Sequence, residues 1–236
     1  MYILFLVLLI IIFAVLTRAS VLMKNKHQNT VATEKMRCKR YCIIMTLLWS
    51  ATAAVFVMSF FGGISLTDLG FRPISFNYSI WFTLPTFVLS GLALAVFTHK
   101  LISSLVSKKY QQKMEDQLAG VEGVADLLPR TKKEKGMWAF VSLSAGICEE
   151  IIYRGFLVFL LQAIFPEIPI FLIILIPSAL FGLSHFYQGL QGIIGTGVLG
   201  ALFLSLFLAS GSLLLPIILH FIIDFSSTFS LSEKVK

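Results

Sequence analysis

Two adjacent glutamates, Glu149 and Glu150, and one arginine, Arg154, lie in the middle of the apolar stretch 137–165 of this 236-residue chain. As a helix, this stretch is long enough to cross a bilayer, because a helix rises about 1.5 Å per residue and the hydrocarbon core is about 30 Å thick. A charge at the bilayer centre costs about 2.5–3.5 kcal/mol even on the translocon scale. Three unpaired charges would cost on the order of 10 kcal/mol, as much as the whole stability of a typical domain. The stretch therefore predicts paired or hydrated charges that serve chemistry or transport.

Helical spacing separates the two glutamates into different roles. Glu150 and Arg154 are four residues apart and share a helix face, which predicts a structural ion pair. Glu149 points about 100° away around the helix and has no cation on its own face. We therefore expect its partner on another helix, and His185 and His220 are the candidates.

The remaining ionisable groups lie on two further apolar stretches, with His185 on one and the pair His220 and Asp224, one turn apart, on the other. Taken singly, each has a structural explanation: a histidine near a helix end is commonly interfacial, and His220 with Asp224 could be an interhelical hydrogen-bond clamp. Glu149 and His220 are expected at similar depth. Acids and imidazoles on three stretches together favour a functional cluster, which we expect to open toward the cytoplasm.

Composition predicts the fold class. The chain is 57% hydrophobic and 13% charged, with a mean hydropathy of +0.89, which is typical of an integral membrane protein built of helices. The net charge of +7 does not indicate nucleic-acid binding, because the basic residues lie in short segments beside apolar stretches. Three cysteines without C-x-x-C spacing, Cys38, Cys42 and Cys148, predict neither a disulfide framework nor structural zinc.

We predict an all-α, polytopic membrane helix bundle, a single domain over 1–236 with about seven transmembrane helices. The positive-inside rule places the N-terminus outside and the C-terminus in the cytoplasm. It also makes the polar loops 24–40 and 107–136 cytoplasmic, together with the tail that carries Lys234 and Lys236. An amphipathic surface helix is expected at 114–128. The predicted spans are 1–22, 41–61, 78–106, 137–163, 168–187, 190–209 and 213–229.

Three short motifs follow one another along the second half of the chain: Glu149-Glu-x-x-x-Arg154, Phe181-x-x-x-His185 and His220-x-x-x-Asp224. In this order on successive apolar stretches they resemble the CAAX prenyl protease and bacteriocin-processing (CPBP, or Abi) family of intramembrane endopeptidases. The resemblance covers 127–229, the expected catalytic core, whereas 1–126 is similar only in being hydrophobic.

The resemblance implies hydrolysis of a peptide bond in a membrane-associated peptide or protein, at a multi-pass membrane site. Glu149 with His185 would activate a water, His220 and Asp224 would stabilise the tetrahedral intermediate, and Phe181 would line the pocket. Asp224 stands where the prenyl-protease branch usually has asparagine, which favours the bacterial peptide-processing branch. Substrates consistent with the family are a peptide leader, a pheromone precursor or a CAAX-type C-terminus.

Several alternatives use the same residues. His185, His220 and Asp224 could hold Zn²⁺ with Glu149 as the base, although the chain lacks H-E-x-x-H, which favours metal-independent catalysis with no required cofactor. Buried acids and imidazoles also build proton-coupled transporters, but no inverted repeat supports one here. A non-catalytic immunity or scaffold protein that keeps the fold is the third alternative.

Overall fold

The structure, a computed structural model, describes residues 1–25, 32–76, 78–119 and 127–229. Within those ranges every regular element is a helix, which confirms the all-α prediction. The long elements are α1 Tyr2–Asn25, α2 Glu34–Gly62, α3 Ile80–Val106, α4 Lys108–Ala119, α5 Lys132–Glu150, α6 Val158–Ile164, α7 Ile170–Ser184, α8 Gly189–Ser210 and α9 Leu214–Phe225. Short 3₁₀ turns occupy Phe186–Gln188 and Ser226–Phe229.

Three helices are long and apolar enough to cross a membrane: Glu34–Gly62, Ile80–Val106 and Phe186–Ser210. Shorter apolar helices cover Tyr2–Arg18, Ile170–Ser184 and Leu214–Phe229. An apolar helix of such length satisfies its own backbone hydrogen bonds within lipid. These helices indicate an integral membrane protein, while the count of seven spans and the orientation of the termini stay predictions.

The segment that carries the glutamates is one continuous helical rod of three parts. A capping box starts α5, because Thr131 accepts a hydrogen bond from the backbone of Glu134, whose side chain accepts one from the backbone of Thr131. Directly after Glu150 the rod widens into the π-helical turns Ile151–Leu157, all of whose residues are buried, and α6 then completes it. The sequence predicts an ordinary helix here, and the wider turns are typical of functional sites.

Two predicted boundaries were wrong. The loop 24–40 is shortened because Thr33 caps the start of α2, accepting a hydrogen bond from the backbone N–H of Met36. The surface helix expected at 114–128 begins earlier, at Lys108 of α4, because Ser107 caps its start by accepting a hydrogen bond from the backbone N–H of Tyr110. Of the remaining predicted segment, 120–126 lies outside the described residues, as do Lys234 and Lys236 of the tail.

Glycines bring the site-bearing helices into close contact. A Cβ added at Gly182 of α7 would lie 2.6 Å from the carbonyl oxygen of Ile193 on α8. A Cβ added at Gly146 of α5 would lie 3.2 Å from the carbonyl oxygen of Ile217 on α9. Small residues at such crossings let membrane helices approach backbone to backbone. The close approach of α5 to α9 positions the glutamates against His220.

Candidate active site

One imidazole and three carboxylates form the centre of the site. The Nδ1 atom of His220 lies 2.7 Å from Oε1 of Glu150. On the opposite side of the ring, Nε2 lies 3.8 Å from Oε2 of Glu149 and 3.7 Å from Oδ2 of Asp224. The structure thus brings together three of the four residues that the sequence singled out for catalysis.

Glu150 has a second partner that helical spacing could not reveal. Its Oε1 accepts a hydrogen bond of 3.0 Å from Nη1 of Arg154, the partner expected from the four-residue spacing. The same oxygen also accepts a hydrogen bond from His220, the second partner. A carboxylate can only accept a hydrogen bond. We therefore assign the proton in this short contact to Nδ1 of His220, which donates it to Glu150. The orientation of the imidazole is therefore fixed from its buried side.

Arg154 is enclosed by aromatic rings rather than by water. Its Cζ atom lies 4.5 Å from the ring centre of Phe181, 5.3 Å from that of Phe203 and 5.9 Å from that of Tyr153. Its Nη2 donates a hydrogen bond of 3.1 Å to the carbonyl of Gly200 on α8. Cation–π contacts of this kind strengthen when the cation is desolvated. The guanidinium therefore holds Glu150 from a rigid position.

Exposure rises across the cluster. The side chain of Glu150 is 0% exposed and that of His220 5%, whereas Glu149 is 17% exposed and Asp224 36%. Glu150 therefore contacts protein alone, while Glu149 and Asp224 line the open side. The Nε2 face of His220 therefore lies toward the more exposed carboxylates, and its Nδ1 face toward the buried one.

His185 lies at the C-terminal end of α7 and is held by its own helix. Its Nδ1 lies 2.8 Å from the carbonyl oxygen of Phe181 and 3.2 Å from Oγ of Ser184. The ring centre of Phe181 lies 4.8 Å from that of His185 and 5.9 Å from that of His220. Among the residues that the structure describes, no hydrogen bond or ion pair joins His185 to Glu149, so the paired base implied by the resemblance is not formed here.

Residues 132–226 match the family model described as Type II CAAX prenyl endopeptidase Rce1-like. This segment is similar to the Rce1-like members of the CAAX protease family. The matched segment begins in the first turn of α5 and ends after α9, so it contains every residue of the cluster and leaves α1–α4 outside. None of the curated proteins or solved structures compared with the chain matches it. The matched description names prenyl endopeptidases.

Sequence reasoning missed two residues of the matched segment that shape the site. Phe203 stacks on His220 with ring centres 4.9 Å apart and an interplanar angle of 23°. Gly200 leaves space for Arg154 and Phe181, since an added Cβ would lie 3.0 Å from Cδ1 of Phe181 and 3.4 Å from Nη2 of Arg154. Both are apolar residues of the apolar helix α8, so their residue types do not distinguish them from their neighbours. Only the glycine content of this helix, which predicts close packing, is a signal.

A zinc site needs ligand atoms about 2.0–2.2 Å from one ion. Among the described residues, no group of three or more His, Cys, Asp and Glu side chains is placed to hold a metal ion. The Nδ1 atoms of His185 and His220 are engaged by the Phe181 carbonyl and by Glu150, which leaves Nε2 as the free nitrogen of each ring. By this criterion His185, His220 and Asp224 are not grouped as zinc ligands in the described part of the chain.

Proposed function

We propose that this protein is an intramembrane endopeptidase in which Glu149 activates a water to cleave a peptide bond of a membrane-associated peptide. The observation that carries the proposal is the geometry around Nε2 of His220, which faces Glu149 at 3.8 Å and Asp224 at 3.7 Å on the open side of the cluster. The match of 132–226 to the CAAX prenyl endopeptidases supports the same reaction class. A general base must lie within reach of the proton that it removes, directly or through one water.

In the proposed reaction, Glu149 takes a proton from water while the water oxygen bonds to the carbonyl carbon of the substrate. The carbonyl electron pair moves onto its oxygen and forms a tetrahedral oxyanion. The C–N bond then breaks, and the proton held by Glu149 passes to the departing amine. A carboxylate removed from bulk water suits both steps, because it is a stronger base and can return the proton.

His220 is proposed to stabilise the oxyanion. Its Nδ1–H is taken by Glu150, so a second proton on Nε2 points to the open side, where the oxyanion would form. A fixed donor in a water-poor site stabilises developing charge strongly. Asp224, which as a carboxylate cannot donate to an oxyanion, would hold the ring. His185 would accept the second hydrogen of the water through Nε2.

The substrate class follows from the setting of the site. Three helices apolar enough to span a bilayer and a family described as prenyl endopeptidases favour a peptide that is itself attached to the membrane. A prenylated, CAAX-type C-terminus is the first candidate, and a peptide leader or a pheromone precursor is the second. The bilayer is then the medium in which enzyme and substrate meet, with no role for nucleic acid.

The test uses the full chain in liposomes, incubated with a farnesylated CAAX-type peptide, its unmodified counterpart and a leader peptide. Products are read by mass in H₂¹⁸O, where hydrolysis adds one ¹⁸O to the new carboxylate. We expect the wild type and Glu167→Gln, an exposed acid between α6 and α7, to cleave, and Glu149→Gln not to cleave. Equal cleavage by Glu149→Gln, or no cleavage of any peptide by the wild type, would overturn the proposal.

A further inference from the structure

A groove of about 470 Å³ lies between α1 and α7, away from the carboxylate cluster. Its walls are apolar along most of their length, with Phe13 and Ala14 on one side and Leu183 on the other. One wall belongs to α1, outside the segment that matches the Rce1-like model. A volume of this size lies within the range of small-molecule sites.

The groove is polar at one end only. Thr17, Arg18 and Ser184 are the most C-terminal of its lining residues on their two helices. Because α1 contacts both α7 and the turn Phe186–Gln188, these C-terminal ends lie together. Arg18 is exposed, and no acidic partner faces it among the residues that the structure describes. The lining is therefore complementary to an amphiphile with one hydrocarbon chain and an anionic end.

The polar end of the groove adjoins the candidate active site. Ser184 lines the groove, donates a hydrogen bond of 2.7 Å to the carbonyl of Phe181, and places its Oγ 3.2 Å from Nδ1 of His185. The wall residue Phe13 stacks on Tyr153 with ring centres 4.8 Å apart, and Tyr153 packs edge-on against Phe181. A molecule in the groove would hold its polar end beside His185.

We propose that the α1–α7 groove binds the hydrocarbon chain of a lipid-modified substrate peptide, with Arg18 pairing with a carboxylate of that peptide. The inference rests on the proposed function and deepens it, because it assigns substrate selection to a helix outside the matched domain. A groove of about 470 Å³ suits one hydrocarbon chain rather than the two of a phospholipid. Its polar end beside His185 suits a chain attached close to the bond that is cleaved.

Filling the groove tests the assignment. Ala14→Trp places an indole in the groove, and Val15→Trp, one residue along α1 on a face that is 55% exposed, is the matched control. Both variants are assayed with one peptide in a farnesylated and an unmodified form. The measured quantity is kcat/KM for the farnesylated peptide divided by kcat/KM for the unmodified one. We expect Ala14→Trp to lower this ratio by about tenfold, a typical effect of a lost apolar contact, and Val15→Trp to leave it unchanged. An unchanged ratio in Ala14→Trp would overturn the assignment.

The charge is tested separately. Arg18→Gln should raise KM for the farnesylated peptide with a free C-terminal carboxylate and leave KM for its C-terminal amide as it is in the wild type. Arg18→Lys should restore binding of the free acid, because one positive charge suffices for this pairing. Equal effects on acid and amide would remove Arg18 from the proposal.

A binding measurement distinguishes failure of this inference from failure of the proposed function. A farnesyl analogue with a diazirine on its chain is attached to the peptide and photolysed with Glu149→Gln protein, which needs no turnover. Mass spectrometry should find the label within 10–18 and 180–184, and Ala14→Trp should reduce it. Labelling spread evenly over other lipid-facing helices would show contact with bulk lipid only and would overturn the inference. Groove labelling without wild-type cleavage would overturn the protease alone.

Discussion

His220 donates a hydrogen bond of 2.7 Å from Nδ1 to Glu150, a residue 70 positions earlier in the chain. The neighbouring Glu149 faces the other nitrogen of the same ring at 3.8 Å. Adjacent residues on a helix point about 100° apart, so the two carboxylates approach one imidazole from different sides. In the proposed reaction, the buried glutamate is therefore a positioning residue, and the partly exposed one meets the reacting water.

Replacing the proposed base separates catalysis from the alternative functions. Glu149→Gln keeps size and shape but cannot take a proton, so we expect cleavage to fall by about 10²–10⁴-fold, the usual worth of a general base. Thermal unfolding in detergent should change little, because the side chain lies on the open side of the cluster. A scaffold or immunity protein would keep its biological output in this variant.

Removing the charge of Glu150 should act through His220. In Glu150→Gln, the Arg154 guanidinium loses its carboxylate and stays buried, which costs about 3–5 kcal/mol of unfolding free energy. We expect kcat to fall more than KM rises, with a shifted pH–rate profile, because the imidazole loses its orientation and its stabilising charge.

The double variant Glu150→Gln/Arg154→Met is the control for that prediction. Breaking the pair from both sides leaves no unpaired charge, so unfolding should cost less than the sum of the two single changes. Activity should stay low in the double variant, since the contact to Nδ1 of His220 is still weakened. The positioning role of Glu150 would be contradicted if the losses of unfolding free energy in the two single variants added up to that of the double variant, or if the double variant recovered activity.

The part of the site that follows local periodicity could be predicted from sequence, and the part that follows tertiary contact could not. The pairing of Glu150 with Arg154 comes from a spacing of four, and the placement of Glu149 toward another helix comes from the turn angle. The bond from Glu150 to His220 depends on how closely α5 and α9 approach, which backbone contact at Gly146 sets. Similarly, the all-α class follows from composition, while the π-helical turns Ile151–Leu157 have no sequence signal.

Gly200 provides a test of the packing around Arg154. In Gly200→Ala, the new methyl group would lie 3.0 Å from Cδ1 of Phe181 and 3.4 Å from Nη2 of Arg154, so the Phe181 ring that packs on the guanidinium must shift by a few tenths of an ångström. We expect unfolding to become easier by about 1–3 kcal/mol, as in other overpacked cores, together with lower activity.

Gly195→Ala on the same helix is the matched control. A Cβ there meets nothing within 4 Å, so the change should leave activity unchanged and raise stability by up to about 1 kcal/mol through helix propensity. Both quantities are read from thermal unfolding and peptide cleavage of the same preparations. If the two alanine variants behave alike, the close contact at Gly200 does not position Arg154.

A second buried ion pair ties the beginning of α2 to the beginning of α5, before the predicted span at 137–163. Nε of Arg37 lies 2.7 Å from Oε1 of Glu134, whose Oε2 accepts hydrogen bonds from the backbone N–H groups of Arg130 and Thr131 at 2.7 and 2.9 Å. Burial acts to raise the pKa of Glu134, but the backbone hydrogen bonds and the Arg37 guanidinium outweigh it, and the pKa lies below its usual range. The carboxylate therefore stabilises the fold in its ionised form.

The sign of the pH dependence follows from that lowered pKa. The contribution of Glu134 is fully present above the unfolded value of about 4.3 and is lost as pH falls through the lower folded pKa. Glu134→Gln keeps the capping box but not the ion pair, so it should unfold more easily at pH 7, by about 3–5 kcal/mol. Its unfolding free energy should also fall less than that of the wild type between pH 6 and about pH 3.

The control Glu167→Gln, at an exposed acid, should follow the wild-type curve of unfolding free energy against pH, measured in detergent. Parallel curves for Glu134→Gln and wild type would assign the acid sensitivity to other carboxylates.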